Sequence, residues 1–353
     1  MRAKATPFAR FAPSAWRVLL AASLLFQSSC TMLHYVAQGA AGQDDLNRRA
    51  RHIDELVSSN RVDARMRALL SQVATIKSFG ERHGLRPTPN YTKYVRIDRP
   101  AVVWAVSAAE PLHFRAKSWS FPLVGSFTFL NWFKQDDANT FAADLEHDGW
   151  DVNVREVGAY STAGFFEDPV VSTMIPGGKQ AIGYFANTIL HESAHATVLV
   201  KHQSTLNESI ANFVGDKLAQ TYLEETLGQD APELAAYLAS ERTSEERVAA
   251  MRAAYVSLEQ IYASSKSRPE KLAEKSAIVK SLRARLGFKR AINNATLIQY
   301  KTYNSGQDEL AALLRTCAND WPRLIAALKT LETAAFARPQ ESDIGSIIPS
   351  RCN

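Results

Sequence analysis

Cysteine is nearly absent: the 353 residues contain three. That excludes a small disulfide-built scaffold, in which several bridges replace a missing core. Glycine and proline number 16 and 14, too few for a collagen-like or Pro/Gly-rich disordered chain. There is no Gly-rich phosphate loop and no repeat of fixed period. Basic residues are scattered rather than gathered with aromatics, so nucleic acid is not an expected partner. The leading apolar run, Val18–Phe26, has nine residues, far short of the roughly 20 that a membrane-spanning helix needs. What is present is a composition able to bury a core, 46% apolar, 9% aromatic and 22% charged. Such a chain forms one large domain or two ordinary ones.

The formal charge of +5 first suggests an acidic partner. Four of the 41 bases, Arg2, Lys4, Arg10 and Arg17, lie in residues 1–29 without an acid, and the other 37 face 36 acids. Beyond residue 29 the chain is nearly neutral. A basic lead followed by a short apolar run has the layout of a secretory signal. Ser28 and Ser29 then precede Cys30, an order that resembles a bacterial lipoprotein signal, in which the cysteine is lipidated and becomes the new N-terminus. Gln27 departs from that pattern, and an ordinary cleaved signal with an incidental cysteine is the alternative. Thr31, in place of Asp, favours the outer membrane.

The expected organisation is therefore a signal over 1–29 and a single domain over 30–353. The expected location is the envelope of a Gram-negative bacterium, as a lipoprotein anchored through Cys30 and facing the periplasm, or else soluble in the periplasm or secreted. Cys317 and Cys352 remain as an even pair, either a disulfide across the C-terminal tail or two free thiols.

Apolar spacing predicts helices between Gln43 and Arg82, with a break near Asn60. Residues 84–100, with Pro87, Pro89 and Pro100, read as loop. Strand-like stretches follow at 101–106, 127–129 and 152–157, the last two separated by a helix over 138–147. Beyond Gln180 the pattern is helical to about residue 336, with long amphipathic helices over 231–264 and 269–286. This predicts an α+β, helix-rich fold with a small antiparallel sheet.

One segment carries chemistry: Ile189-Leu190-His191-Glu192-Ser193-Ala194-His195. His191 and His195 stand one helical turn apart and can point at one metal ion. Glu192, on the adjoining face, stands where a general base belongs. The alternative is a surface helix, but apolar flanks would leave an unpartnered His-Glu-His cluster at a heavy desolvation cost. A catalytic zinc commonly takes three protein ligands. His202 does not fit the extended metzincin spacing, because Val198 and Lys201 occupy the required glycine and histidine positions. Glu208 is the better third ligand, since a turn at 201–205 would bring a second helix back along the first. Thr205-x-x-Glu208 can instead be read as a capping box. Asn212, one turn on, could orient an imidazole, and Asp216 is the fallback carboxylate. Solvated helix surface is the other role for both.

Several further pieces accompany this motif: Tyr35-Val36-Ala37-Gln38, Trp104-Ala105-Val106-Ser107-Ala108, Phe121-Pro122-Leu123-Val124-Gly125, Ala159–Pro169 and Asn207-Glu208-Ser209-Ile210-Ala211. Together they resemble the bacterial predicted-aminopeptidase family, gluzincin-type proteins that are often lipoproteins. Leu130-Asn131-Trp132-Phe133 departs from that family, which more often has a Gly-aromatic-Phe piece there. The resemblance implies a zincin-like metallopeptidase fold, with the small sheet packed on the His-Glu-x-x-His helix and long C-terminal helices. It also implies one zinc ion on His191, His195 and Glu208, with Glu192 as base and peptides as substrates.

Other roles stay open on the residues. Tyr160 is a candidate oxyanion donor or a packing aromatic. The 152–157 strand could hold an extended substrate along its edge. Glu167 and Asp168 could bind a substrate ammonium or be solvated. Asn293, Asn294, Tyr300 and Tyr303 could close the cleft or serve helix packing. The alternative functions are a zinc endopeptidase and a non-catalytic envelope lipoprotein with a binding or scaffolding role.

Overall fold

The computed structural model describes the chain from Ser14 onward, apart from residues 60, 122–124, 160–166, 342 and 353; of residues 14–31 and 302–304 only the backbone is described. Two compact units are present, Met1–Asp45 and Leu46–Asn353. In the first, helix α1 (Ser14–Arg49) begins, and Leu33 and Val36 expose their side chains. No helix among the described residues is long and apolar enough to cross a membrane.

After the two-residue strand β1 (Arg51–His52) come three short helices, α2 (Ile53–Val57), α3 (Ala64–Leu70) and α4 (Val73–Arg82). Asp63 starts α3 by accepting a hydrogen bond from the Met66 amide at 2.8 Å, relieving one of the donors a helix leaves unpaired at its start. The Pro-rich loop then leads into strand β2 (Lys93–Val95).

Strands β3 (Val103–Ala109), β4 (Trp119–Phe121), β5 (Gly125–Phe127) and β6 (Phe129–Trp132) follow, then helix α5 (Gln135–His147) and strands β7 (Asp151–Val157) and β8 (Val170–Val171). They form three small sheets instead of the one that the sequence suggests, ordered β1-β2-β8, β6-β3-β7 and β4-β5. The β2–β8 pair is parallel; all other strand pairs are antiparallel.

The β6-β3-β7 sheet matters for the site. Register places Ala105 opposite both Asn131 and Arg155, and Ser107 opposite Phe129 and Asn153. Because side chains alternate along a strand, these residues share one face. The other face presents Trp104, paired with Trp132, and Phe141 of α5 lies 5.1 Å from the Trp132 ring.

The remainder is helical: α6 (Ala181–Thr197), α7 (Ser204–Leu227), α8 (Pro232–Ala263), α9 (Arg268–Leu286), α10 (Asn294–Asn304), α11 (Gln307–Thr316) and α12 (Trp321–Lys329). Proline in the first turn of α8, α9 and α12 supplies a preset φ where no amide partner is needed. The lone break between α8 and α9 falls at Ser264–Ser267, as the sequence pattern around Pro269 indicates.

The histidine helix α6 packs mainly on α7, with α4 and α8 beside it, while α5 and α10 cover the β6-β3-β7 sheet. The expectation that the sheet rests chiefly on α6 is thus corrected. An α6 buried by other helices explains why Phe185, Ile189 and Leu190 are at most 1% exposed, each contributing roughly 1.5–3 kcal/mol of apolar burial. Close approach depends on Gly183, where a Cβ would stand 2.6 Å from the Tyr237 ring, and on Gly215, where it would meet His191 Cβ at 3.0 Å.

Candidate metal centre

Helix α6 stops where Val198 turns to extended backbone, and a short turn leads into α7. Asn207 clamps that turn from both sides: its Oδ1 accepts from Val200 N and its Nδ2 donates to Val200 O, each at 2.9 Å. The first amide of α7, Ser204 N, donates to Gln340 Oε1 of the C-terminal tail at 2.9 Å. The helix therefore begins before Thr205, and Glu208 is turned toward the histidines.

Its Oε2 lies 3.7 Å from His191 Nε2 and 3.7 Å from His195 Nε2. The two imidazoles are 4.8 Å apart, nearly perpendicular. One ligand atom from each of the three residues lies within 4.8 Å of the others. Two zinc bonds of about 2.0 Å at the tetrahedral angle span roughly 3.3 Å, so the two carboxylate–imidazole separations of 3.7 Å need only a small contraction. His₂Glu is also a donor set that suits zinc chemically. The residues present fit a metal ion.

The electrostatics differ among the three residues. Burial, and then the neighbouring His195, lower the His191 pKa to about 4, so its ring is neutral and keeps a lone pair for a metal. Burial also opposes charge on His195, but the Glu208 carboxylate outweighs it and raises that pKa. Burial opposes ionisation of Glu208 as well, yet His195 and His191 bring its pKa down to about 2. Asn212 hydrogen-bonds the His191 ring. Glu192 is near enough for its charge to act on His195 and on Tyr91.

This cluster lies in a chain whose residues 34–342 match a family model described as Putative aminopeptidase. The chain belongs to that family. No curated protein and no solved structure matches it. The aminopeptidase-family match encloses α6, α7 and all the strands from β1 to β8.

Other residues of this aminopeptidase-family protein are placed as follows. Asp216 is not a ligand; its Oδ1 accepts from Asn187 Nδ2 at 2.6 Å, and the same amide group donates to Tyr237 OH at 2.9 Å. That network joins α6, α7 and α8 one turn before His191. His202 lies apart from the cluster, its Nδ1 3.1 Å from Ser126 Oγ. Glu167 pairs with Lys93 at 3.2 Å. Asp168 is buried, its backbone held by Asn90 Oδ1 and by Tyr91 N.

Asn293 caps α10 and donates to Val152 O at 2.7 Å. Asn294 is fully buried and bonds Glu110 O, Tyr262 OH and Asp151. Both are packing residues of α10 instead of cleft closures. Tyr300 packs against Phe288 with the rings tilted by 52° and their centroids 6.4 Å apart. Tyr160 and the Cys30 and Tyr303 side chains lie outside the described residues. Strand β7 stands at a sheet edge, but Asn293 and Arg290 already engage its Val152 and Val154 carbonyls. Cys317 and Cys352 are joined as a disulfide.

Two residues escape the sequence reading. Tyr91 is 1% exposed, has φ of +64°, and its hydroxyl has no hydrogen-bond partner among the described residues. Left-handed backbone at a bulky residue is held only where its surroundings enforce it, often near a site. Nothing in the Pro-rich loop signals this. Arg155 is the second: its charge acts on both His191 and Glu208. Here a signal exists, since Val152 and Val154 alternate with Asn153 and Arg155, placing an arginine on one face of the strand.

Proposed function

We propose that the protein hydrolyses peptide bonds as a zinc-dependent aminopeptidase, with one zinc ion held by His191, His195 and Glu208. The observation that carries this reading is the convergence of two imidazoles and a carboxylate across the α6–α7 crossing, 3.7 Å from carboxylate to each ring. A zinc ion in such a site supplies Lewis-acid polarisation of a carbonyl and acidification of water.

The chain's own part in the reaction falls first to Glu192. A Glu192 carboxylate oxygen takes the proton of the attacking water and then passes it to the departing amine. Asn212 holds the His191 ring in orientation, and apolar Ile189, Leu190 and Ala194 keep water from the rear of the helix. Tyr160 is proposed as the donor to the oxyanion.

Localisation and anchoring belong to the same proposal. The basic and apolar leader exports the chain, and Cys30 carries the lipid that tethers it to the outer membrane, facing peptides in the periplasm. The near-neutral balance of the remaining chain supports this, because the excess charge sits in the leader.

The test is a metal assay followed by hydrolysis of peptides with free and with blocked N-termini. One zinc per chain is expected, with cleavage of free peptides only. Glu192→Gln should keep the zinc and lose roughly 10²–10⁴-fold in turnover. A protein that binds no zinc, or a Glu192→Gln variant with unchanged turnover, would overturn the reading. Equal cleavage of blocked peptides would remove the aminopeptidase assignment and leave an endopeptidase.

A further inference from the structure

The turn between α6 and α7 has a candidate metal ligand on each side, His195 just before it and Glu208 just after. Its polar groups are satisfied largely from the C-terminal tail. Gln340 Oε1 accepts from Ser204 N at 2.9 Å, Gln340 N donates to His202 O at 2.8 Å, and Gln340 Nε2 donates to Ser126 O of β5 at 3.0 Å. Gln203, 2% exposed, has both ends of its amide on the tail. It donates to Arg338 O at 3.1 Å and accepts from Glu341 N at 2.9 Å. At the end of α6, Leu199 N donates to Glu332 Oε1 at 2.9 Å.

This conformation does not hold itself. His202 and Gln340 both have left-handed backbone, with φ of +62° and +60°, which residues other than glycine keep only where their surroundings enforce it. The enforcement is mutual, because a hydrogen bond ties the one to the other. A tail that came away would also leave the buried Gln203 amide unpaired, at the desolvation cost of a polar group. The turn depends on the tail staying down.

The far end of the tail is fastened to α11. Ile344 and Ile348 are buried, and a Cβ on Gly306, just before α11, would stand 2.8 and 2.7 Å from them. Cys352 is bonded to Cys317 at the other end of that helix. Cys317 is fully buried and Cys352 only partly, so an incoming thiolate reaches the Cys352 sulfur first. A dithiol attacking there releases the Cys317 thiolate, which takes up a proton. The second thiol of the reductant then closes its own disulfide and frees Cys352, so that two electrons pass to the bridge.

We propose that the bridged tail is a redox-sensitive strap on the metal centre: closed, it holds the α6–α7 turn, and opened, it lets the ligand geometry loosen and metal affinity fall. This rests on the zinc reading above. Disulfides persist in oxidising surroundings, so the strap ties metal loading to the compartment that the chain occupies.

The test compares the parent with Cys317→Ala/Cys352→Ala, by chelator competition for zinc and by amide exchange at Leu199 and Ser204. Both are read without denaturant, on protein shown folded by circular dichroism. Opening the bridge should lower zinc affinity at least about fivefold and speed exchange at the turn. The Met66 amide, held by the Asp63 side chain at the start of α3, should exchange as before. Gln340→Ala in the bridged protein should reproduce both effects, and should have a smaller effect in the double alanine variant, because the two act through the same contacts. Ser346→Ala, whose hydroxyl donates to Asp343 O within the tail, should change neither. Parent protein reduced by a dithiol and then freed of it should match the double variant and recover on reoxidation.

Unchanged zinc affinity in the double variant overturns the strap, as does unchanged exchange at the turn. An equal rise at Met66 overturns it too, because that is a general loss of stability, and so does a Gln340→Ala effect of full size without the bridge. If the parent binds no zinc, the zinc reading falls, and exchange at the turn decides whether the tail straps it.

Discussion

Replacing Gly215 by alanine tests whether the metal centre depends on how closely α6 and α7 approach. The new Cβ would stand 2.9 Å from Asn187 Oδ1, 3.0 Å from His191 Cβ and 3.1 Å from Asn187 O. The amide oxygen cannot simply swing aside, because the same group is tied to Asp216 and Tyr237. His191 Cβ and the Asn187 carbonyl move only with the helix. The two helices must therefore part by a few tenths of an ångström. Alanine gains about 1 kcal/mol of helix propensity over glycine, while overpacking costs about 1–3 kcal/mol. The net expectation is a loss of roughly 0–2 kcal/mol.

The larger effect is on the metal. His191 and His195 ride on α6 and Glu208 on α7, and ligand distances tolerate only about 0.2 Å. Zinc affinity should fall roughly 10–100-fold, as when an orienting partner of a ligand is lost. Competition against a chromophoric chelator measures it, with thermal denaturation alongside. Gly177→Ala is the control, since a Cβ there meets nothing within 4 Å. A Gly215→Ala protein that is more stable than the parent and holds zinc as tightly would refute the argument.

Two further outcomes are expected. The Cys317–Cys352 bridge closes a segment of 35 residues, so the double alanine variant should lose up to about 4 kcal/mol from chain entropy, read as a lower urea midpoint; an unchanged midpoint would refute this. Asp216 and Glu241 also predict a pH effect. Burial raises the Asp216 pKa to about 6, and burial with the nearby Asp216 charge raises that of Glu241 to about 7. The folded protein then binds more protons than the unfolded chain, so their contribution to stability declines as pH rises from about 4 to about 7. Asp216→Asn should flatten that decline and stabilise the protein by on the order of 2 kcal/mol at pH 8. Parallel pH profiles for the two proteins would contradict it.

The helices were legible wherever apolar spacing was sustained, as in α8 and α9, whose observed limits lie within a residue or two of the predicted ones. The β4–β5 hairpin and the β1-β2-β8 sheet were not, because strands of two or three residues carry no periodicity to read. Asp216 illustrates a different limit. Spacing placed it on the same helix as Glu208, but its partner, Asn187, belongs to α6, so only the crossing of the two helices decides which carboxylate faces the histidines.

The sequence by itself determined the local parts of the candidate centre. Four residues separate His191 from His195, and helical geometry alone puts both rings on one face. The excess of positive charge in residues 1–29 is likewise a matter of order along the chain. Only the tertiary structure decided that Glu208 closes the triad instead of a capping box, and that the charge of Arg155 acts on His191 and Glu208. These depend on the approach of α6 to α7 at Gly215 and on the register of β7. Each is a contact between segments distant in sequence, and no spacing within a single element encodes it.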